Sequence, residues 1–221
     1  MTIDDDVAKL AKHVRSTLGE GPFLRVDGWQ HMGAVICDAV LQQARHYRHW
    51  VLPRVEDLQS AWPDARTVTR FRARAAEGEL SAVLRTTNRT KLSAIVAITD
   101  LLARSRVETR DELRAWLQKD GSRSALLAVH GVGPKTVDYL GSLVGGAHVA
   151  VDVHLRAFAR QADVGVTTYH QLRRVYEETA DRLGHDRGGL VHAVWNHMSA
   201  NVGAQPPASS PKNTKGGLDI P

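Results

Sequence analysis

The stretch SALLAVHGVGPKTVDYLGSLVGGAHVAVDVHLR, residues 124–156, contains the most informative local pattern in the chain. Its start, residues 125–129, is a short apolar run of helical character, and the glycines at 131 and 133 allow a tight turn. Pro134 suits the first position of a new helix, where a missing N–H costs no hydrogen bond. The stretch therefore predicts a helix, a hairpin and a second helix, with outward backbone N–H groups suited to a phosphate.

Two motifs in this stretch resemble a known family. The first is Val129-His130-Gly131-Val132-Gly133-Pro134-Lys135-Thr136, and the second is Val151-Asp152-Val153-His154, whose Asp follows Lys135 by 17 positions. They are similar to the Leu-Pro-Gly-Val-Gly-Arg-Lys-Thr hairpin and the Val-Asp-Thr-His of endonuclease III-like members of the helix-hairpin-helix DNA glycosylase superfamily. Here Pro134 replaces the usual Arg, and His130 replaces the usual Pro. More loosely, the resemblance extends over roughly residues 25–200.

The resemblance implies a base-excision repair enzyme that turns a damaged or mispaired base out of double-stranded DNA and cleaves its N-glycosidic bond. Lys135 and Asp152 match the family's catalytic residues. The lysine of bifunctional members attacks C1′ of the sugar and forms a Schiff base, which permits β-elimination (AP lyase activity). The segment 41–44 is similar to the family's glutamine-bearing wedge. The residues that the resemblance assigns to DNA binding are Gln42, Gln43, Lys91, His130, Gly131, Val132, Gly133 and Thr136.

Elementary chemistry suits Lys135 and Asp152 to these roles. Breaking the N-glycosidic bond places positive charge on the sugar, which a nearby carboxylate stabilises. The attacking amine must be neutral, and the positive end of the helix dipole at Lys135 disfavours the ammonium form. Each residue also has a structural interpretation, Asp152 as a helix N-cap and Lys135 as a partner of a phosphate. Asp138, one helical turn beyond Lys135, would orient it or serve as an ordinary acid.

Other side chains near these motifs carry weaker expectations. Tyr47 would stack on an extruded base or simply pack. His148 is expected at the surface, and His154 as a packed, hydrogen-bonded residue.

Helical periodicity dominates the chain and predicts an all-α fold without strands. Capping boxes are expected at Thr109 with Glu112 and at Thr168 with Gln171, and Asp64 is expected to cap a helix. The predicted helices cover residues 2–18, 29–47, 64–78, 87–103, 109–117, 168–183 and 188–200.

The resemblance implies two lobes with the active site in the cleft between them. Residues 23–140 would form a helical bundle that carries the hairpin, and residues 1–22 with 141–200 would form the lobe that carries Asp152. Residues 201–221 hold four of the eight prolines and are predicted to be a flexible tail.

Charge alone indicates little. The 221-residue chain has 29 Lys and Arg against 24 Asp and Glu, a net charge of +5, which fits a polyanionic partner and ordinary solubility equally well. A basic run between positions 66 and 91, preceded by Arg45, Arg48 and Arg54, would track phosphates or form an ordinary solvated helix face. It comprises Arg66, Arg70, Arg72, Arg74, Arg85, Arg89 and Lys91.

The single cysteine, Cys37, excludes a disulfide framework and any site built from several thiolates, such as a zinc ribbon. Where the family's iron–sulfur loop would follow the last helix, the chain has only the Pro-rich tail. We therefore expect no iron–sulfur cluster, zinc or other cofactor, with room for a monovalent ion at the hairpin.

The acidic start of the chain and the lack of a long apolar run favour a cytoplasmic, monomeric protein without a membrane partner, associated with the nucleoid if bacterial. Two alternatives stay open. One is a monofunctional glycosylase that uses water, and the other is a non-catalytic helix-hairpin-helix DNA-binding protein. The sequence does not indicate which base would be removed.

Overall fold

The computed structural model describes residues 2–25, 28–42 and 46–202. Within these ranges the chain is helical and has no β-strand, which confirms the predicted all-α fold. The described elements are one π-helical turn, Tyr47–Val51, and the α-helices α1 (Ile3–Leu18), α2 (Met32–Leu41), α3 (Leu52–Ala61), α4 (Val68–Ala76), α5 (Leu80–Val83), α6 (Arg89–Arg104), α7 (Arg110–Trp116), α8 (Ser122–Leu127), α9 (Pro134–Leu143), α10 (Val153–Gln161), α11 (Tyr169–Leu183) and α12 (Arg187–Val202). The tail predicted to be flexible spans residues 201–221; its first two residues belong to α12, and residues 203–221 lie outside the described residues.

The first hydrophobic core is built around α2. All ten residues of α2 are buried, because α3, α4, α6 and α9 pack around it. Ile36 of α2, Phe71 of α4 and Ile95 of α6 lie in this core. A helix that is apolar on all sides requires such complete enclosure.

The second core joins the two ends of the described chain. Helix α1 packs against α11 and α12, and α10 packs against α12. Leu10, Phe158 and Tyr176 are among its fully buried side chains. Helix α9 continues past residue 140 to Leu143, and both Leu143 and the following Val144 lie in the first core.

Threonine side chains cap the N-termini of several helices. The capping box of Thr109 with Glu112 is confirmed at the start of α7. Thr168 caps α11, but its hydroxyl contacts Gln171 Oε1 at 2.7 Å, so this pair is not a complete capping box. The expectation for Asp64 is wrong, because Thr67 caps α4 and Asp64 pairs instead with Arg74 at 3.2 Å.

Helix α2 is shorter than the predicted helix over residues 29–47, and Lys91 marks its end. The Lys91 ammonium donates hydrogen bonds to the carbonyl oxygens of Leu41 at 2.6 Å and Val40 at 3.5 Å. A cation at this position satisfies carbonyl groups that have no partner within their own helix. Lys91 is only 7% exposed. This setting does not favour the predicted contact with DNA, since the charge is used inside the protein.

Replacing Lys91 by Met should destabilise the fold. The variant Lys91→Met keeps the length and apolar stem of the side chain but leaves two buried carbonyl groups without their charged donor. We expect the free energy of unfolding in urea to fall by about 2 kcal/mol, the usual size for hydrogen bonds to a charged group. Lys119→Met, at an exposed lysine, is the control. Unchanged stability of Lys91→Met together with weakened DNA binding would instead favour the predicted contact of Lys91 with DNA.

Candidate functional site

A cavity of about 430 Å³ is lined by residues of both cores. Lys135 comes from the start of α9, and Asp152 directly precedes α10. Four aromatic side chains, Trp29, Tyr47, Tyr139 and Trp195, supply much of the remaining wall. The structure therefore brings both predicted catalytic residues to the surface of one cavity.

The hairpin before α9 shows why Lys135 lies where it does. Gly133 is the N-cap of α9 and Pro134 its first residue, so Lys135 is in the first helical turn and half-buried. Gly131 has φ +84°, and a Cβ atom there would lie 2.9 Å from Thr90 Cγ2 of α6. The turn thus requires glycine at position 131, both for its backbone conformation and for its close packing.

The remaining hairpin residues differ in what they expose. His130 is exposed and Thr136 is half-buried. Gly133 has ordinary extended backbone, and no described atom lies within 4 Å of a Cβ placed there. Val132 is buried in the first core, and its N–H donates to the carbonyl oxygen of Val129 at 3.0 Å. This position does not favour the predicted DNA contact, because the Val132 side chain packs in the core and its N–H is already hydrogen-bonded within the turn.

Asp152 is the N-cap of α10. Its Oδ1 accepts hydrogen bonds from the backbone N–H groups of His154 at 2.9 Å and Leu155 at 3.0 Å. The structural interpretation of this residue is therefore present in the fold. The cap occupies Oδ1, so a catalytic role would fall to Oδ2.

Gln42 lines the cavity and is hydrogen-bonded to Asp38 of α2. Its Nε2 donates to Asp38 Oδ1 at 3.3 Å. This places the Gln42 side chain toward the protein interior, so any wedge role would require it to leave Asp38. Gln43, the other predicted wedge residue, lies outside the described residues.

Asp38 is the residue that sequence reasoning missed. It is fully buried in α2, and its Oδ2 accepts hydrogen bonds from Trp29 Nε1 at 2.6 Å and the Tyr47 hydroxyl at 3.2 Å. Burial raises the pKa of Asp38 to about 6, although hydrogen bonds from Trp29, Gln42 and Tyr47 oppose this shift. Asp38 is the only acid in the otherwise apolar α2, and it precedes Gln42 by four residues. This pattern is the sequence signal that could have identified it.

The aromatic wall contacts residues from both sides of the cavity. The Tyr47 ring meets Trp195 edge-on with centroids 5.9 Å apart, and His154 meets the same indole at 5.9 Å. Burial, together with the charge of Arg48, lowers the pKa of His192, which also lines the cavity. The Tyr47 hydroxyl is bound to Asp38, so this ring is fixed in place rather than free to swing out.

Asp138 and His148 differ from their expected settings. Asp138 is fully buried and accepts hydrogen bonds from Arg123 at 2.7 Å, Arg173 at 3.1 Å and the Tyr169 hydroxyl at 2.7 Å. His148 is partly buried rather than at the surface, with its Nδ1 3.7 Å from Asp138 Oδ1. These contacts favour a structural acid over one that binds Lys135 directly.

The basic run between positions 66 and 91 is partly neutralised. Arg72 pairs with Asp100 at 2.7 Å, Arg74 with Asp64, and Arg85 with Asp57. Acids from neighbouring elements therefore occupy several of its guanidinium groups. For these residues the structure favours the interpretation as an ordinary solvated face.

Within the described ranges, no group of three or more His, Cys, Asp or Glu side chains is arranged to hold a metal ion. None of the described helices combines the length and apolar character needed to cross a membrane. The chain matches no protein-family model, and a search of curated proteins gave no significant match.

The raised pKa of Asp38 predicts a pH-dependent contribution to stability. The folded state holds this proton more tightly than the unfolded state, so the contribution is complete below about pH 4 and is lost as pH rises through about 6. A shift of this size corresponds to about 3 kcal/mol between these limits. Asp38→Asn removes the titrating group and keeps an acceptor for Trp29.

Urea unfolding of wild type and Asp38→Asn, measured from about pH 4 to about pH 7, tests this. We expect the stability of wild type relative to the variant to decrease across the range. The comparison cancels groups that titrate in both proteins. A difference that stays constant with pH would contradict the assignment.

Proposed function

We propose that the protein is a DNA glycosylase of base-excision repair, with AP lyase activity through Lys135. The observation that carries the proposal is that Lys135 and Asp152 line the same cavity, although they belong to the starts of two different helices. In this proposal the two cores correspond to the two lobes of the glycosylase fold, and the cavity is the cleft between them. The protein acts as a cytoplasmic monomer on double-stranded DNA.

The chemistry assigned to the site has two steps. The neutral Lys135 amine attacks C1′ of the sugar, the C1′–N bond breaks, and the base leaves with the bonding electrons and takes up a proton. Asp152 stabilises the positive charge that develops on the sugar. The nitrogen then loses a proton, the C1′–O4′ bond breaks and O4′ takes up a proton, which gives the Schiff base. Removal of a proton from C2′ then expels the 3′ phosphate, and this β-elimination breaks the strand.

The cavity suits a base that has left the helical stack. Its aromatic wall offers flat faces for a heterocycle, and the target bond is inaccessible within a duplex. The open space at Gly133 allows a phosphate to approach the start of α9 closely. Such a hairpin contact would set position without reading sequence.

Borohydride trapping tests the role of Lys135. Wild type should form a covalent adduct with a duplex that carries an abasic site, because borohydride reduces the Schiff base to a stable amine. Lys135→Ala should form none, whereas Lys119→Ala, at an exposed lysine, should trap like wild type. Base release by wild type without any adduct would favour the monofunctional alternative, in which water attacks the sugar.

Asp152→Asn separates an enzyme from a non-catalytic binding protein. Asn is as good an N-cap as Asp, so the start of α10 should be preserved. We expect base release to fall by about 10²-fold or more, the usual loss when one electrostatic stabiliser is removed. Affinity for the duplex should stay within about twofold of wild type.

The assay for Asp152→Asn needs a panel of duplexes, each with one lesion: an oxidised pyrimidine, an oxidised purine, an alkylated base, or uracil or thymine in a mismatch. The panel also identifies the base removed. Tight duplex binding by wild type with no base released from any member would favour the non-catalytic alternative.

A further inference from the structure

Asp138 links α9 to a helix of the other core. Arg123 comes from α8, on the side of the first core, and donates two hydrogen bonds at 2.7 and 3.1 Å. Arg173 and Tyr169 come from α11, whose apolar side chains lie in the second core. A fully buried carboxylate thus holds groups from both cores at a single point.

The same network reaches the segment that carries Asp152. The Tyr169 hydroxyl, 2.7 Å from Asp138 Oδ2, lies against the backbone of Val151, the residue immediately before Asp152. Ser142 adds a second connection, because its hydroxyl is within donating distance of the His148 carbonyl oxygen at 2.9 Å, as well as of the Asp138 carbonyl oxygen in its own helix at 3.1 Å. The segment between α9 and α10 is therefore held to α9 directly through Ser142 and indirectly through Tyr169 of α11.

Lys135 lies on the other side of this link. It precedes Asp138 by three residues in α9, so the two positions are about one helical turn, roughly 5 Å, apart along a rigid element. The connection thus runs from Lys135 along α9 to Asp138, through the 2.7 Å hydrogen bond to Tyr169, and on to the backbone of Val151 beside Asp152. None of its intermediate members needs to touch a substrate.

We propose that Asp138 and Tyr169 are positioning residues that fix the distance between Lys135 and Asp152. The proposal rests on the proposed function for its effect on rate, but the link itself is independent of any activity. Both candidate catalytic groups lie at helix starts, where the flanking backbone is the part of a helix most free to shift. A buried, charge-assisted network is suited to prevent such a shift.

The ionisation of Asp138 supports this role. Burial alone would raise the pKa of this carboxyl, but hydrogen bonds from His148, Arg123 and Tyr169, together with the charge of Arg173, hold it well below its usual range. The charged form of this carboxyl is therefore strongly favoured. A charged acceptor keeps both Arg173 and the Tyr169 hydroxyl in place.

Tyr169→Phe is the sharpest test, because it removes one hydroxyl and leaves the ring and the arginine pairs. Two measurements are made on the full chain: hydrogen–deuterium exchange over residues 149–155, and single-turnover trapping on an abasic duplex with the affinity for that duplex. We expect exchange over 149–152 to rise about tenfold and the trapping rate to fall about tenfold. Duplex affinity should change less than twofold, since binding uses other residues.

Thr99→Val is the matched control. It also removes one buried hydroxyl, which bonds the Ile95 carbonyl oxygen at 2.7 Å in α6, outside the network. It should leave exchange over 149–152 and the trapping rate unchanged. Equal effects in both variants would mean general loosening of the fold and would overturn the proposal.

The remaining outcomes are distinguishable. Unchanged exchange in Tyr169→Phe would show that the link does not hold the segment. Raised exchange with an unchanged trapping rate would show that the link is structural only, which also overturns the positioning role. If wild type traps no adduct and releases no base, the proposed function fails, and exchange alone then decides whether Tyr169 fixes the segment before Asp152.

Discussion

The charge of a buried carboxylate must be balanced by nearby cations and hydrogen-bond donors. For Asp138 these groups come from helices of both cores and so join them. Removing one partner of a buried ion pair typically costs about 3–5 kcal/mol, so the arginines cannot leave cheaply. Arg123 and Arg173 belong to helices that pack in different cores, yet both must stay within hydrogen-bond distance of one side chain in α9. The cavity, with Lys135 at the start of the same helix, depends on where this constraint places α9.

Asp38 and Asp138, two of the acids buried among the described residues, are compensated in opposite ways. Asp138 faces guanidinium groups, which favour its charged form and lower its pKa. The described donors to Asp38 are neutral, namely an indole, an amide and two phenols, so burial prevails and its pKa rises to about 6. Hydrogen bonds from neutral groups stabilise a carboxylate less than full charges do. One acid therefore holds helices together, whereas the other lies beneath the cavity with a proton it can lose near neutral pH.

Sequence patterns predicted those features of the fold that depend on residues adjacent in the chain. Helix starts at Thr2 and Thr109 follow from local hydrogen bonding, and the turn before Pro134 follows from glycine and proline backbone preferences. Contacts between distant residues were not predictable in this way. Lys91 satisfies carbonyl groups 50 residues away, and Asp38 gains its setting from the fold that encloses α2.

The hairpin illustrates how fold and function can be separated at neighbouring positions. Gly131 is required by its positive φ and by the contact with Thr90, so its identity is explained by folding alone. Gly133 has extended backbone, and no described atom beyond its chain neighbours lies within 4 Å of a Cβ placed there, so neither the backbone nor close packing requires glycine. In the proposed function, this glycine at the start of the helix that presents Lys135 leaves room for a phosphate. A phosphate bound by the first N–H groups of α9 would need that space, and a larger residue at 133 would deny it.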